Sequence, residues 1–404
     1  MNSPIFTSVR FSLLTMALVI CGGLVAAEPG ASAASRTNRG GWEAGVARVV
    51  ITPEKPMWMA GYGARDRPAE GKLQDLYAKA LALESPAGQR LVLVTTDLVG
   101  LPARLTESVA GPLLDKYGLA RSQIMFTSSH THSGPLLADE YPVYPVPGLA
   151  PEEEEKVRCY TEWLHGQLIQ VVGKALAGLA PARLAWGIGR AGFAVNRREP
   201  TPQGFINGTN PTGPVDHDVP VLRVESPEGR LRAVAFGYAC HNTTLGFYQW
   251  CGDYAGFAQE YLEAAHQGTT ALFFMGCGAD ANPLPRRTVE LCQKYGRQLA
   301  DAVEAGLAGE MHAVTGSIRS AFSRVDLLLD KLPTREELTE RAKGKPSYSQ
   351  RRAGWLLKVL DARGKFDTTY PYPIQVWQLG SDLTWIALGG EAVVDYSHRL
   401  KREL

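Results

Sequence analysis

The stretch Leu76–Thr96, LYAKALALESPAGQRLVLVTT, holds two apolar, β-leaning runs around Glu84-Ser85-Pro86-Ala87-Gly88. Proline presets φ and glycine supplies a positive φ, so this pentapeptide turns the chain and predicts a hairpin of Leu76–Leu83 with Leu91–Thr96. The device recurs at residues 219–238, VPVLRVESPEGRLRAVAFGY, where Glu225-Ser226-Pro227-Glu228-Gly229 separates Val219–Val224 from Leu231–Tyr238. Each hairpin precedes a helix-like stretch, Leu105–Lys116 or Phe257–Ala265, and then an apolar strand, Gln123–Ser128 or Thr270–Met275. Each of those strands runs into a Gly/Pro-containing loop, His130–Pro135 or Gly276–Pro283. Four elements in matching order make a duplicated hairpin–helix–strand unit. The expected class is α/β, with two packed mixed β-sheets flanked by helices in an αββα-like arrangement. Equivalent strand ends would then bring both loops toward a shared cleft.

Outward from the duplication, Ala44–Ile51 reads as a strand, and a Gly-rich loop follows around Gly61-Tyr62-Gly63. Glu152–Ala177 reads as a long amphipathic helix with an acidic first turn, which suits the helix dipole. Thr334 with Glu337 forms a capping box that opens a basic, polar helical segment reaching Ala362, a solvated insertion. Pro373–Leu379, the turn Gly380-Ser381-Asp382 and Leu383–Leu388 form a last hairpin that delivers Gly389-Gly390-Glu391. The Pro-rich segment Tyr141–Pro147, with Tyr141 and Tyr144, reads as a plain surface loop, the alternative being that it lines an entrance. A single domain over residues 41–404 accommodates all of this.

At 404 residues the chain can bury one large core or two modest ones. A net charge of +1 and 21% charged residues exclude the basic footprint of a nucleic-acid-binding protein. Residues 1–27 read as a secretory signal: Arg10 is the positive n-region, Phe11–Val25 the apolar h-region, and Val25-Ala26-Ala27 a small-residue cleavage site. The apolar run is shorter than the roughly 20 residues of a membrane span, and Gly22-Gly23 interrupts it, so cleavage and export are expected rather than anchoring. Ile20 before Cys21 does not suit a lipoprotein signal. Residues 28–40 form an exported linker. The terminal Lys401-Arg402-Glu403-Leu404 departs from the Lys-Asp-Glu-Leu retrieval signal. Without the signal five cysteines remain, an odd number and too few for a disulfide scaffold; Cys240 and Cys251 are spaced to bridge.

The chemistry is carried by His130-Thr131-His132-Ser133-Gly134-Pro135. In extended chain residues two apart share a face, so both imidazoles can enter one pocket. A hydrolytic zinc site asks for about three N or O ligands and an open position. His130, His241 and Glu391, each at a strand end, form a candidate set for one zinc ion. His132 is then placed to orient a ligand or to pass protons.

Four segments in order resemble the N-terminal catalytic domain of the neutral/alkaline, non-lysosomal ceramidases. These are residues 130–135, Asn196-Arg197-Arg198, Cys240-His241-Asn242-Thr243 with Gly252-Asp253, and the loop 276–283. The opening segment GVARVVITPEKPMWMAGYG at 45–63 and the Gly-Glu at 390–391 agree, so the resemblance spans about residues 42–400. It implies zinc held by His130, His241 and Glu391, a functional Arg at Arg197, and a second active-site His at His132. It also marks two departures. The family loop reads G-D-x-S-P-N with a catalytic Ser, whereas here Gly278-Ala279-Asp280-Ala281-Asn282-Pro283 puts Ala281, which has no hydroxyl, at that place. The family's Tyr ligand and C-terminal β-sandwich lie beyond its Glu, outside this sequence, and Tyr396 fits a helix instead. A shortened, bacterial-type relative is the expectation.

The resemblance implies hydrolysis of an N-acyl, ceramide-like amide. Zinc would lower the pKa of water to about 7 and polarise the carbonyl, with Asp280 or His132 as general base and Arg197 stabilising the oxyanion. The partner is a small-molecule or lipid amide; peripheral membrane contact is open, and no feature specifies an oligomer. Alternatives are a hydrolase of another amide or ester, a metal-binding relative without catalysis, and a thiol enzyme using Cys277, which would need a lowered thiol pKa.

Overall fold

Both Ser-Pro-x-Gly turns close hairpins as expected, by the same bonds. In one, the Gly88 N–H donates to the Ser85 carbonyl at 2.8 Å, and in the other Gly229 donates to Ser226 at 2.9 Å. Both glycines have φ near the left-handed region, 78° and 89°, that other residues avoid. The computed structural model describes residues 41–139, 149–345, 347–381 and 383–404. The segments read from the sequence as signal (1–27) and linker (28–40), the Tyr141–Pro147 segment and Asp382 lie outside the described residues.

The duplication is longer than the sequence suggests. The first copy comprises β1 (Trp42–Val50), β2 (Tyr77–Glu84), β3 (Arg90–Thr96), α1 (Ala103–Tyr117), β4 (Ile124–Ser128) and α2 (Pro151–Ala177). The second comprises β5 (Ala180–Arg190), β6 (Asp218–Glu225), β7 (Leu231–Tyr238), α3 (Asp253–Ala265), β8 (Thr270–Met275) and α4 (Val289–Ala308). The strand order β8-β7-β6-β5-β1-β2-β3-β4 is a palindrome of the two copies, with the short strand His312–Ala313 added beside β5. Within each copy the hairpin is antiparallel and the crossover helix returns a parallel strand, β4 beside β3 and β8 beside β7.

Side-chain alternation decides the layers. On β2, Ala78, Ala80 and Ala82 face α1 and α2, packing with Leu105, Val109, Leu164 and Leu168. On β7, Val234 and Phe236 face α3 and α4, packing with Phe257 and Leu299. The opposite faces of both copies meet: Leu81, Leu83, Leu91 and Leu93 share one core with Leu222, Val224 and Leu272. Lys79 crosses this layer, its Nζ donating to the Ala271 carbonyl and to Glu263, each at 2.8 Å. The continuous sheet therefore doubles back where β1 and β5 join, a junction of only three residue pairs. The result is the expected α/β architecture of packed sheets flanked by helices.

A three-stranded antiparallel sheet, β9 (Ile318–Leu328), β10 (Thr369–Leu379) and β11 (Leu383–Leu388), adds Ile318, Trp377 and Leu379 to the inner core. Between β9 and β10 the polar segment forms α5 (Arg335–Ala342), opened by the Thr334–Glu337 capping box, and then α6 (Tyr348–Arg363). The chain continues from β11 through Glu391 into α7 (Val394–Glu403). Among the described residues no helix is long and apolar enough to cross a membrane. The bridge between Cys240 and Cys251 does not form: both are free thiols, and Cys251 Sγ donates to Gln74 Oε1 at 3.0 Å.

Candidate metal centre

The loops after β4 and β7 are stitched together. Thr131 and Asn242 form an isolated parallel bridge, and the His132 N–H donates to the Asn242 carbonyl at 3.2 Å. This brings His130 and His132 against His241, so that one nitrogen from each imidazole lies within 4.8 Å of the others. His130 takes φ 61°, a left-handed conformation unusual for a residue with a Cβ and typical of constrained sites.

Two imidazoles are aimed by backbone carbonyls. His130 Nδ1 contacts the Val99 carbonyl at 2.6 Å and His241 Nδ1 the Gly278 carbonyl at 2.8 Å. A carbonyl only accepts, so Nδ1 carries the proton in both, and both Nε2 lone pairs face inward. Glu391 stands between them, its Oε2 3.2 Å from His241 Nε2 and its Oε1 3.8 Å from His130 Nε2. Burial, then the neighbouring His241, lowers the His130 pKa to about 4. Burial likewise holds His132 well below the ordinary imidazole range. The close approach of His241, with His130 and Arg197 beside it, holds the Glu391 carboxyl at about 2, against its partial burial. At neutral pH His130 and His132 are thus neutral imidazoles beside an ionised carboxylate.

These donors fit a divalent ion. His132 Nε2 lies 3.3 Å from His130 Nε2, while its buried Nδ1 has no hydrogen-bond partner among the described residues. Inward lone pairs on His130 and His241, an ionised carboxylate and a third imidazole are the nitrogen and oxygen set that zinc and similar ions take.

Residues 42–282 match the family model for the N-terminal region of neutral/alkaline non-lysosomal ceramidases. The chain belongs to that family. It is 27% identical over 330 residues to the neutral ceramidase of Pseudomonas aeruginosa, covering 73% of this chain and 46% of the relative. The chain therefore spans about half the length of the curated relative it matches. The crystal structure of neutral ceramidase from Pseudomonas aeruginosa superposes with TM-score 0.69 at 21% identity, covering 90% of this chain and 64% of that one. A ceramidase complexed with C2 does so with TM-score 0.69 at 20% identity, covering 90% and 65%. At such identities the structural likeness speaks for the fold. Glu391 lies beyond residues 42–282, which the family model matches, yet the fold of this chain brings it onto the two histidines.

The remaining candidates lie close by. Arg197 places Nη2 3.7 Å from Glu391 Oε2, and its buried Nε has no partner among the described residues. Asp280 is buried, and its carboxylate accepts from the Val394 N–H at 3.0 Å and from Asn196 Nδ2 at 3.5 Å, while its carbonyl accepts from the Arg197 N–H at 2.7 Å. Those bonds tie the Arg197 strand to the segment after Glu391. Ala281 is buried behind His241, whose N–H donates to its carbonyl at 3.0 Å. Cys277 does not meet the requirement of a thiol enzyme, because burial and then the Asp216 and Asp280 charges push its thiol up.

Tyr62 and Gly61 are the site residues that sequence reasoning left as a plain Gly-rich loop. The Tyr62 ring packs edge-on against His132, centroids 4.8 Å apart, and its hydroxyl donates to the Leu245 carbonyl at 2.8 Å. A Cβ on Gly61 would overlap the His132 ring. The signal was present: glycine beside an aromatic, where a backbone must approach another group closely.

Proposed function

We propose that this chain is an exported, zinc-dependent amidohydrolase that cleaves an N-acyl, ceramide-like amide into an amine and a carboxylic acid. The observation that carries the reading is the paired aiming of His130 and His241 by the Val99 and Gly278 carbonyls onto Glu391. His130, His241 and Glu391 would hold the ion, which when bound supplies a Lewis acid and acidifies water.

The chain's own residues do the rest. His132, kept neutral by burial, accepts the proton from the attacking water and returns it to the leaving nitrogen. Arg197, positively charged and largely buried beside Glu391, donates to the oxygen on which negative charge develops. Asp280 acts one step back, fixing Arg197 and the Glu391 segment through its bonds to Asn196 and Val394. Tyr62 and Gly61 hold the His132 ring in place. No hydroxyl nucleophile is needed at Ala281 in this scheme.

Elemental analysis of the mature protein, beside release of fatty acid from N-acylsphingosine, tests the reading. Near-stoichiometric zinc and turnover, both lost in His241→Ala, are expected. Zinc without hydrolysis of any amide or ester would favour a metal-binding relative, for which Ala281 is the supporting observation. Absence of metal after supplementation would overturn the reading. Export is tested separately by the N-terminal mass of the protein from the extracytoplasmic fraction, expected to begin at Glu28.

A further inference from the structure

The insertion between β9 and β10 forms a half-open cavity of about 850 Å³ away from the His/Glu cluster. The larger part of its wall is apolar, built from Leu338, Trp355, Leu356, Val359, Phe366 and Tyr370. That volume is within the range of small-molecule sites, about 300–1,000 Å³. A hairpin of helices that existed only to be solvated would have no reason to turn these side chains around a hollow.

The charges at the cavity are one-sided. Lys331, Arg341, Arg352, Arg363 and Lys365 line it, against Glu337 and Asp367. Arg363 pairs with Asp367 at 3.3 Å and Lys331 approaches Glu337 at 3.9 Å. Arg341, Arg352 and Lys365 have no ion-pair partner among the described residues. Leu329, also in the wall, is 46% exposed, and the adjacent Leu328 is 85% exposed, so an apolar lip leads in.

We propose that this cavity binds a single-chain anionic amphiphile, a long-chain carboxylate, with its hydrocarbon tail along Leu356, Val359 and Phe366 and its head at Arg341 and Arg352. Charge complementarity selects the sign of the head, and the wall selects a tail over a polar ligand. The inference is independent of the reaction proposed for the metal centre.

Titration calorimetry of the purified protein with dodecanoate, below its micelle concentration, tests it. One site per chain is expected, with affinity falling about fourfold per methylene removed toward octanoate. Dodecyltrimethylammonium, of the same tail and opposite charge, should not bind. Arg341→Glu with Arg352→Glu, at exposed positions, should weaken dodecanoate at least tenfold, and Val359→Trp should do so by filling the hollow. Circular dichroism checks folding of each variant, and the charge reversals decide if Val359→Trp does not fold. His130→Ala should bind dodecanoate as the wild type does, which separates this site from the metal centre. Absent binding, equal binding of the cationic amphiphile, or indifference to the charge reversals would overturn the proposal. Binding only to anionic vesicles and not to monomeric dodecanoate would also overturn it, in favour of a membrane-docking face.

Discussion

Asn242 holds both sides of the centre: its Nδ2 donates to the Ser129 carbonyl and its Oδ1 accepts from the Ala255 N–H at 3.1 Å. One side chain thus ties the loop before His130 to the first turn of α3, beside its own bridge to Thr131. Asn242→Ala leaves two buried backbone groups unpaired, a cost on the order of 2–4 kcal/mol. A lower melting temperature and weaker metal retention are expected together. Unchanged melting by calorimetry would show that the tie carries no energy.

The donors of the centre are separable by substitution. His130→Ala and His241→Ala are expected to lose metal and turnover together, since each removes an inward nitrogen. His132→Ala should keep most of the metal while turnover falls about 10²–10⁴-fold, the range for loss of a general base. Metal content and initial rates on the same preparations separate the two outcomes. Equal metal loss in all three variants would make His132 a ligand.

Gly61 is a steric test of His132. The residue has φ 92°, and a methyl there would overlap the ring. Gly61→Ala costs about 1 kcal/mol in backbone strain and must also displace the imidazole. At least a tenfold loss of turnover with metal retained is expected. Full activity in that variant would show that the ring position is not critical.

Asp216 fastens α7, accepting from Lys401 Nζ at 2.8 Å and from Ser397 Oγ at 2.6 Å. Burial alone would raise its pKa, but the bonds from Lys401 and Ser397 outweigh burial and the net shift is downward. A carboxyl with a folded pKa below the unfolded value near 3.9 contributes stability above that pH. The contribution is lost as pH falls through the folded pKa. Asp216→Asn should therefore cost ~1 kcal/mol at pH 7, allowing for the half-exposed Lys401. The gap to wild type should close below pH 4 in thermal melts, and a gap that widened in acid would contradict the assignment.

Much of the fold was legible because its strands advertise themselves. The two Ser-Pro-x-Gly turns and the apolar runs around them gave both hairpins, and β7 and β8 match their expected bounds, Leu231–Tyr238 and Thr270–Met275. β5 was not legible. Its Gly187 and Gly189 break the apolar alternation, and the reason is contact: a Cβ on Gly189 would overlap the Ala302 carbonyl of α4. Without β5 and α4, the duplication looks four elements long and not six. The junction of β1 with β5 was equally hidden, since three residue pairs far apart in the chain leave no local pattern.

At the site, His130, His132, His241, Glu391 and Arg197 were legible from motif and resemblance, and the structure gathers them. Asp280 was legible as a nearby acid but not as a fastener, because its partners Val394 and Asn196 are 114 and 84 residues away. Val99 and Gly278 were invisible for a simpler reason. They act through carbonyl oxygens, which every residue owns.

The palindromic strand order also governs how the protein is made. Each copy can pair its own hairpin and parallel strand as it is synthesised, but the candidate metal donors are scattered over residues 130, 132, 241 and 391. A chain still being translated carries at most part of this candidate donor set until the β10–β11 hairpin has followed. A chain interrupted before β11 therefore holds its three histidines without the carboxylate that stands between two of them.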